Sequence, residues 1–154
     1  MTDPKDKSPQ SDPMEQMLCF DLYAASQAFT RVYSPLLAPL GLTYPQYLVM
    51  LNLWSESPLS VGEIGQRVSL ESNTLTPLIK RLQDAGLVTR NRDPKDERRV
   101  VVALTDKARA LEAQARHVPT CISEATGMSL NELTRLQKEL RGLTKAMLSS
   151  SVKP

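Results

Sequence analysis

A chain of 154 residues with 41% hydrophobic side chains can bury the core of one ordinary domain and is short for two. Its 19 basic and 17 acidic residues leave a formal net charge of only +2, while two cysteines and one histidine exclude a disulfide framework and the usual His-rich metal or structural zinc site. No apolar run approaches the roughly 18 residues of a membrane span, and the opening MTDPKDKSPQSDP lacks the hydrophobic region of a signal peptide, so a cytoplasmic protein without membrane contact or cofactor is expected.

Residues 1–12, rich in Pro, Ser, Asp and Lys, are expected to be a mobile tail. Asp12 as N-cap, Pro13 at the first helical position and Glu15 predict a first helix from residue 13 to about 37 or 38. Its apolar positions Leu18, Leu22, Ala25, Phe29, Val32 and Leu36 recur at helical spacing, the pattern of a core or dimer face. Cys19, Tyr23, Ser26 and Tyr33 lie beside that stripe. Pro39-Leu40-Gly41 breaks the chain. Thr43 can then cap a second helix that has Tyr44 and Pro45 in its first turn and runs through Tyr47, Val49, Met50, Leu51 and Trp54, side chains expected in the core.

Cys19 by itself reads as a small buried hydrophobe. Tyr23, four residues on, is its direct helical neighbour. Tyr33 is about 21 Å away along one straight helix, so a cysteine that Tyr33 meets belongs to a second copy of the chain. Phenol hydroxyls donating to a thiolate would favour its charged, oxidant-reactive form. A helix that starts at residue 13 places Cys19 beyond its first turn, where the helix dipole adds little.

The stretch from Leu59 to Ala85 predicts two helices joined by a tight turn. In the second, Leu75, Leu78, Ile79 and Leu82 share one face, and Asn73, Thr76, Pro77 and Lys80 share the opposite one. Asn suits an adenine edge, Lys suits guanine or phosphate, and Thr or Pro can pack on a thymine methyl. Ser72 and Thr74 at the helix start are further candidates for bases or phosphates. The plainer alternative is an amphipathic helix with a solvated polar side. Gly86 ends this helix at its C′ position, Leu87–Arg90 reads as a strand, Asp93–Arg99 as a charged turn and Val100–Leu104 as the returning strand. Lys80, Arg81, Arg90, Arg92, Lys95, Arg98 and Arg99 face only Asp84, Asp93, Asp96 and Glu97 within this span, so positive charge concentrates where a winged helix meets a duplex.

Beyond the hairpin, Thr105 can cap a helix through Ala108, Leu111 and Ala115 that Val118-Pro119 interrupts or bends. Ser129 with Glu132 forms a capping box for a last helix carrying Leu133, Leu136, Leu140, Leu143 and Met147. Helices at both chain ends, each with an apolar face left over, suit a homodimer. Residues 149–154 are expected to fray.

The run LSVGEIGQRVSLESNTLTPLIKRLQDAGLVTRNRDPKDERRVVVALTDKARAL resembles the MarR family of dimeric winged-helix regulators, through its Asp-Glu-Arg wing and the Leu-Thr-Asp-Lys that follows. LCFDLYAASQAFTRVY and LTYPQYLVMLNLW resemble the organic-hydroperoxide-sensing OhrR-like repressors within it. The resemblance implies a mainly α fold with a small β-hairpin wing. It places a winged helix-turn-helix at about residues 43–104 and dimerisation helices at about 13–38 and 105–148, all in one domain over 13–148. It further implies that Cys19 is the peroxide-sensing thiol, that Tyr33 and Tyr44 hydrogen-bond to it across the dimer, and that Arg98, with Asp96 orienting it, enters the minor groove from the wing tip. Cys121 is then the candidate resolving cysteine, with an inert or small-thiol-modified residue as the alternative.

The leading expectation is a dimeric repressor that holds a pseudo-palindromic operator duplex when Cys19 is reduced and releases it when an organic hydroperoxide oxidises that thiol. A second keeps the DNA binding but makes the effector a small aromatic or phenolic ligand. A third, ranked below both, is a thiol peroxidase; no acid/base constellation adjoins Cys19, and the protein is expected not to be an enzyme.

Overall fold

The computed structural model describes residues 13–151. The tail expected over residues 1–12, the Asp12 cap and residues 152–154 lie outside the described residues. The chain divides between Arg116 and His117 into two compact units. The first holds helices α1 (Leu18–Leu37), α2 (Tyr44–Ser55), α3 (Val61–Val68), α4 (Ser72–Asp84) and α5 (Asp106–Ala115), with strands β1 (Leu59–Ser60), β2 (Val88–Asp93) and β3 (Asp96–Leu104). The second holds α6 (Val118–Ala125) and α7 (Leu130–Ser149). This is the mainly helical, small-winged fold expected of the sequence.

Local signals placed most helix ends. Thr43, Ser60 and Ser129 cap α2, α3 and α7 in full capping boxes, each accepting the amide three residues on while the Gln46, Glu63 or Glu132 side chain accepts the cap's own amide. Thr105 caps α5 through the amide of Ala108. Gly86, at φ 74°, closes α4: its amide donates to the Gln83 carbonyl at 2.9 Å and that of Leu87 to Leu82 at 3.0 Å, the paired bonds of a Schellman ending.

The first helix departs from expectation. Pro13–Gln16 is only a 3-10 turn, Met17 is extended (φ −97°, ψ 97°), and α1 begins at Leu18. Asp12 and Pro13 signal a helical turn, but Met17, the actual N-cap, has no side-chain acceptor for the freed amides, so no local residue type marks the new start. Cys19 therefore sits in the first turn of α1 rather than beyond it.

The winged-helix core joins Tyr47, Val49, Met50 and Leu53 of α2 to Ile64 of α3 and to Leu75, Leu78, Ile79 and Leu82 of α4, all buried. Each such side chain contributes roughly 1.5–3 kcal/mol of burial. Leu51, expected inside, is 38% exposed, and Leu53 takes its place at 0%. Trp54 packs at the core edge, its indole N–H donating to the Ala108 carbonyl at 2.9 Å. Between α3 and α4 the Leu70 amide donates to the Gly65 carbonyl at 3.0 Å, and Ser69 adopts φ 55°. A Cβ on Gly65 would lie 2.8 Å from the Leu70 carbonyl oxygen, so this close turn requires glycine.

The sheet has the order β1-β3-β2, all antiparallel. β1 pairs Leu59 with Val102 and Ser60 with Val101, and the sequence reading did not contain it. The hairpin is also longer than expected. Register runs from Val88 opposite Leu104 to Arg92 opposite Val100, then shifts so that Asp93 faces Asp96. The expected seven-residue charged turn reduces to Pro94-Lys95, and the arginines assigned to it lie on the strands.

Two helices remain uncovered in the single chain. Of the twenty residues of α1 only Leu37 is buried, with Leu18 60%, Phe20 39%, Phe29 44% and Val32 38% exposed. No residue of α7 is buried, and Leu136, Leu140, Met147 and Leu148 are exposed.

Candidate nucleic-acid interface and thiol site

The polar face of α4 emerges as the sequence pattern predicts. Ser72, Asn73, Thr74, Thr76, Pro77, Lys80 and Arg81 are all exposed, opposite the buried leucine and isoleucine stripe that anchors the helix. The Thr74 hydroxyl donates to the Asn73 side-chain oxygen at 3.4 Å. An open groove between α3 and the start of α4 adds Gly62, Gln66, Ser69 and Glu71 to this surface, residues that carried no pattern of their own. The C-terminal end of α4 is held from α5: Lys107 Nζ donates to the Ala85 carbonyl at 2.8 Å and Thr105 Oγ1 to Gly86 at 2.7 Å.

The wing carries exposed Arg92, Lys95, Arg98 and Arg99 and half-buried Arg90. Asp93 accepts the Lys95 amide at 2.9 Å and Asp96 accepts the Arg98 amide at 3.0 Å, local turns that shape the tip. Asp96 thus holds the backbone amide of Arg98, which stands on β3 just past the tip. Arg99 turns back to the helix-turn-helix, where its Nη2 lies 2.9 Å from Glu63 Oε2. The Glu63 carboxyl is held down at about 2 by the Ser60 backbone amide first, then the Ser60 hydroxyl and Arg99. The Ser60-x-x-Glu63 capping box is a local pattern that the sequence expectations did not include, and the Arg99 partner 36 residues away carries no local signal at all.

Cys19 is exposed in the first turn of α1, beside exposed Tyr23. Tyr33, near the other end of α1, meets Tyr44 of α2 with ring centroids 4.6 Å apart, and the Tyr47 ring lies 5.9 Å from that of Tyr33. Burial foremost, then the neighbouring Tyr44 and Tyr47, pushes the Tyr33 phenol up to about 12; burial and Tyr44 raise Tyr47 as well. Tyr33 and Tyr47 therefore keep their hydroxyl protons at neutral pH. One chain brings Tyr33 and Tyr44 together but leaves Cys19 about 21 Å along the helix from Tyr33. Cys121 is half-buried on α6, its amide donating to the His117 carbonyl at 3.1 Å. Among the described residues no His, Cys, Asp and Glu cluster could hold a metal ion, and no helix is long and apolar enough to cross a membrane.

Residues 31–114 match the family model described as transcriptional regulator SarA/Rot. The chain is 50% identical over 135 residues to the HTH-type transcriptional regulator TtmR of Methylorubrum extorquens, covering 88% of this chain and 68% of that protein. It is 40% identical over 134 residues to the organic hydroperoxide resistance transcriptional regulator of Bacillus subtilis, covering 87% and 91%. Among solved structures it is similar to reduced AbfR bound to DNA, a Staphylococcus epidermidis protein, with a TM-score of 0.74 and 36% identity over 86% of this chain and 92% of that one.

Proposed function

The chain belongs to the SarA/Rot family of MarR-like winged-helix transcriptional regulators, and from that premise we propose that it is a dimeric repressor whose grip on operator DNA is released when an organic hydroperoxide oxidises Cys19. The carrying observation is the placement of an exposed thiol and a packed tyrosine pair toward opposite ends of one largely uncovered helix. Two copies of α1 crossing antiparallel bring each Cys19 to the partner's tyrosine pair and bury Leu18, Phe29 and Val32 in the same step. Phenol donors and the first-turn amides of α1 both favour negative charge on the sulfur.

The chemistry is stoichiometric. The Cys19 thiolate attacks the outer peroxide oxygen, the O–O bond breaks, and the alkoxide leaves as the alcohol after taking a proton; sulfur becomes a sulfenic acid as the peroxide is reduced. A second thiol, Cys121 or a small-molecule thiol, then attacks that sulfur and expels water to close a disulfide. In the dimer two α4 helices enter successive major grooves about 34 Å apart, with Ser72, Asn73, Thr74, Thr76, Pro77 and Lys80 against bases and backbone, Arg81 on phosphate, and the wing with Arg90, Arg92, Lys95 and Arg98 over the adjoining minor groove. Repacking around the oxidised sulfur alters the spacing of these helices. The resemblance to the Bacillus subtilis regulator supports the hydroperoxide, and the resemblance to DNA-bound AbfR supports the duplex.

Operator binding by wild type and Cys19→Ser, before and after an organic hydroperoxide, tests this. Wild type should dissociate and the variant should stay bound. Oxidant-driven release that survives Cys19→Ser refutes the sensor role. Release of the variant by a phenolic ligand alone would make the effector a small molecule, and sustained peroxide turnover with a thiol reductant would make the protein a peroxidase.

A further inference from the structure

Arg99 is not presented as the other wing arginines are. One oxygen of Glu63, Oε2, accepts from the Ser60 amide at 2.7 Å, the Ser60 hydroxyl at 2.8 Å and Arg99 Nη2 at 2.9 Å. Ser60 is both the N-cap of α3 and the β1 residue paired with Val101 of β3. A single carboxylate therefore ties β1, the first helix of the helix-turn-helix and the wing strand together. The tie falls where the wing most needs one. Arg92 faces Val100 and Asp93 faces Asp96, so Glu97, Arg98 and Arg99 have no residue opposite them in the ladder. This arch carries Arg98; Asp96 fixes one side through the Arg98 amide and Arg99 anchors the other on Glu63.

We propose that Glu63 and Arg99 are positioning residues for DNA recognition, pinning the wing to the helix-turn-helix so that Arg98 is presented at a set distance from α4. The proposal rests on the reading of the wing as a DNA-contacting element. A carboxylate on a surface that approaches phosphates is repulsive unless its partner neutralises it, and an arginine so paired releases no counterion. Exposed ion pairs add little to stability, so the pin shows in DNA affinity rather than in the melting temperature.

The test measures operator binding across a salt series for wild type, Glu63→Gln, Arg99→Gln, the double variant and Arg98→Ala. Gln at 63 keeps the capping-box acceptor, and circular dichroism of each variant checks the fold. The pin requires Glu63→Gln to weaken binding roughly threefold or more although it removes a negative charge, Arg99→Gln to weaken it similarly, and the double variant to be no weaker than the worse single. The salt slope of Arg99→Gln should equal that of wild type. A slope lowered by about 1 in Arg99→Gln, or unchanged or tighter binding in Glu63→Gln, makes Arg99 an ordinary phosphate contact and overturns the pin. If Arg98→Ala weakens binding while the other variants behave additively, the pin alone fails; if Arg98→Ala has no effect, the wing reading fails and the pin with it.

Discussion

Two glycines on one short helix should respond to the same substitution with opposite signs. Gly62 and Gly65 both lie in α3, and replacing a helical glycine by alanine stabilises by up to about 1 kcal/mol through backbone entropy and propensity. At Gly62 an added Cβ meets nothing within 4 Å, so Gly62→Ala should realise most of that gain. At Gly65 the Cβ would sit 2.8 Å from the Leu70 carbonyl oxygen and 3.5 Å from Leu75 Cδ2. That oxygen belongs to the turn whose Leu70 amide also bonds to the Gly65 carbonyl at 3.0 Å, so it cannot recede without stretching the link. Overpacking of this kind costs about 1–3 kcal/mol and a weakened hydrogen bond about 0.5–1.5 more, against the gain of about 1. The net expectation is a loss of about 0.5–3.5 kcal/mol, or a fall in melting temperature of roughly 1–14 °C for a chain of this size. Thermal unfolding of both variants without DNA, at one fixed protein concentration because a dimer's Tm depends on it, is the assay. Because the turn sets α4 against α3, Gly65→Ala should also weaken operator binding. A Gly65→Ala protein at least as stable as wild type would refute the packing argument for the turn.

Arg98→Ala should weaken operator binding by about 1–3 kcal/mol at matched salt if its side chain reads the groove, and unchanged affinity would remove it from the interface. Substituting Asn73, Thr76 or Lys80 should change which operators are preferred, whereas an equal loss on every duplex would assign them to phosphates. Tyr33→Phe and Tyr44→Phe should slow Cys19 oxidation and its alkylation near neutral pH while sparing reduced-state DNA binding; unchanged rates would separate the tyrosines from the thiol. Cys121→Ser, if Cys121 resolves Cys19, should abolish the disulfide seen on non-reducing gels and leave the sulfenic acid open to overoxidation. The Glu63 carboxyl is lowered from 4.5 to about 2, so its contribution to stability is complete above pH 4.5 and disappears as pH falls through about 2; acid unfolding of Glu63→Gln should lack this component. The Tyr33 phenol is raised from 10.0 to about 12, so its contribution is complete below pH 10.0 and is lost as pH rises through about 12, a loss that Tyr33→Phe should remove from the alkaline limb.

Features governed by a few neighbouring residues were determined by the sequence itself. The caps at Thr43, Thr105 and Ser129 and the stop at Gly86 are bonds spanning a handful of residues, and the two faces of α4 follow from helical periodicity alone. The leftover apolar faces on α1 and α7 were legible for the same reason. What the tertiary structure decided is long in range or lacks a side-chain signature. β1 is only two residues, too short for any alternation, and exists because β3 offers it an open edge. The hairpin runs deep into a charged stretch that reads as a turn because ladder hydrogen bonds join backbone groups whatever their side chains carry. The break at Met17, which moved Cys19 into a first turn, has no capping side chain to announce it. Tyr33 beside Tyr44, and Arg99 on Glu63, come together only when α1 packs on α2 and the wing folds back on α3, contacts that neither partner's local sequence encodes.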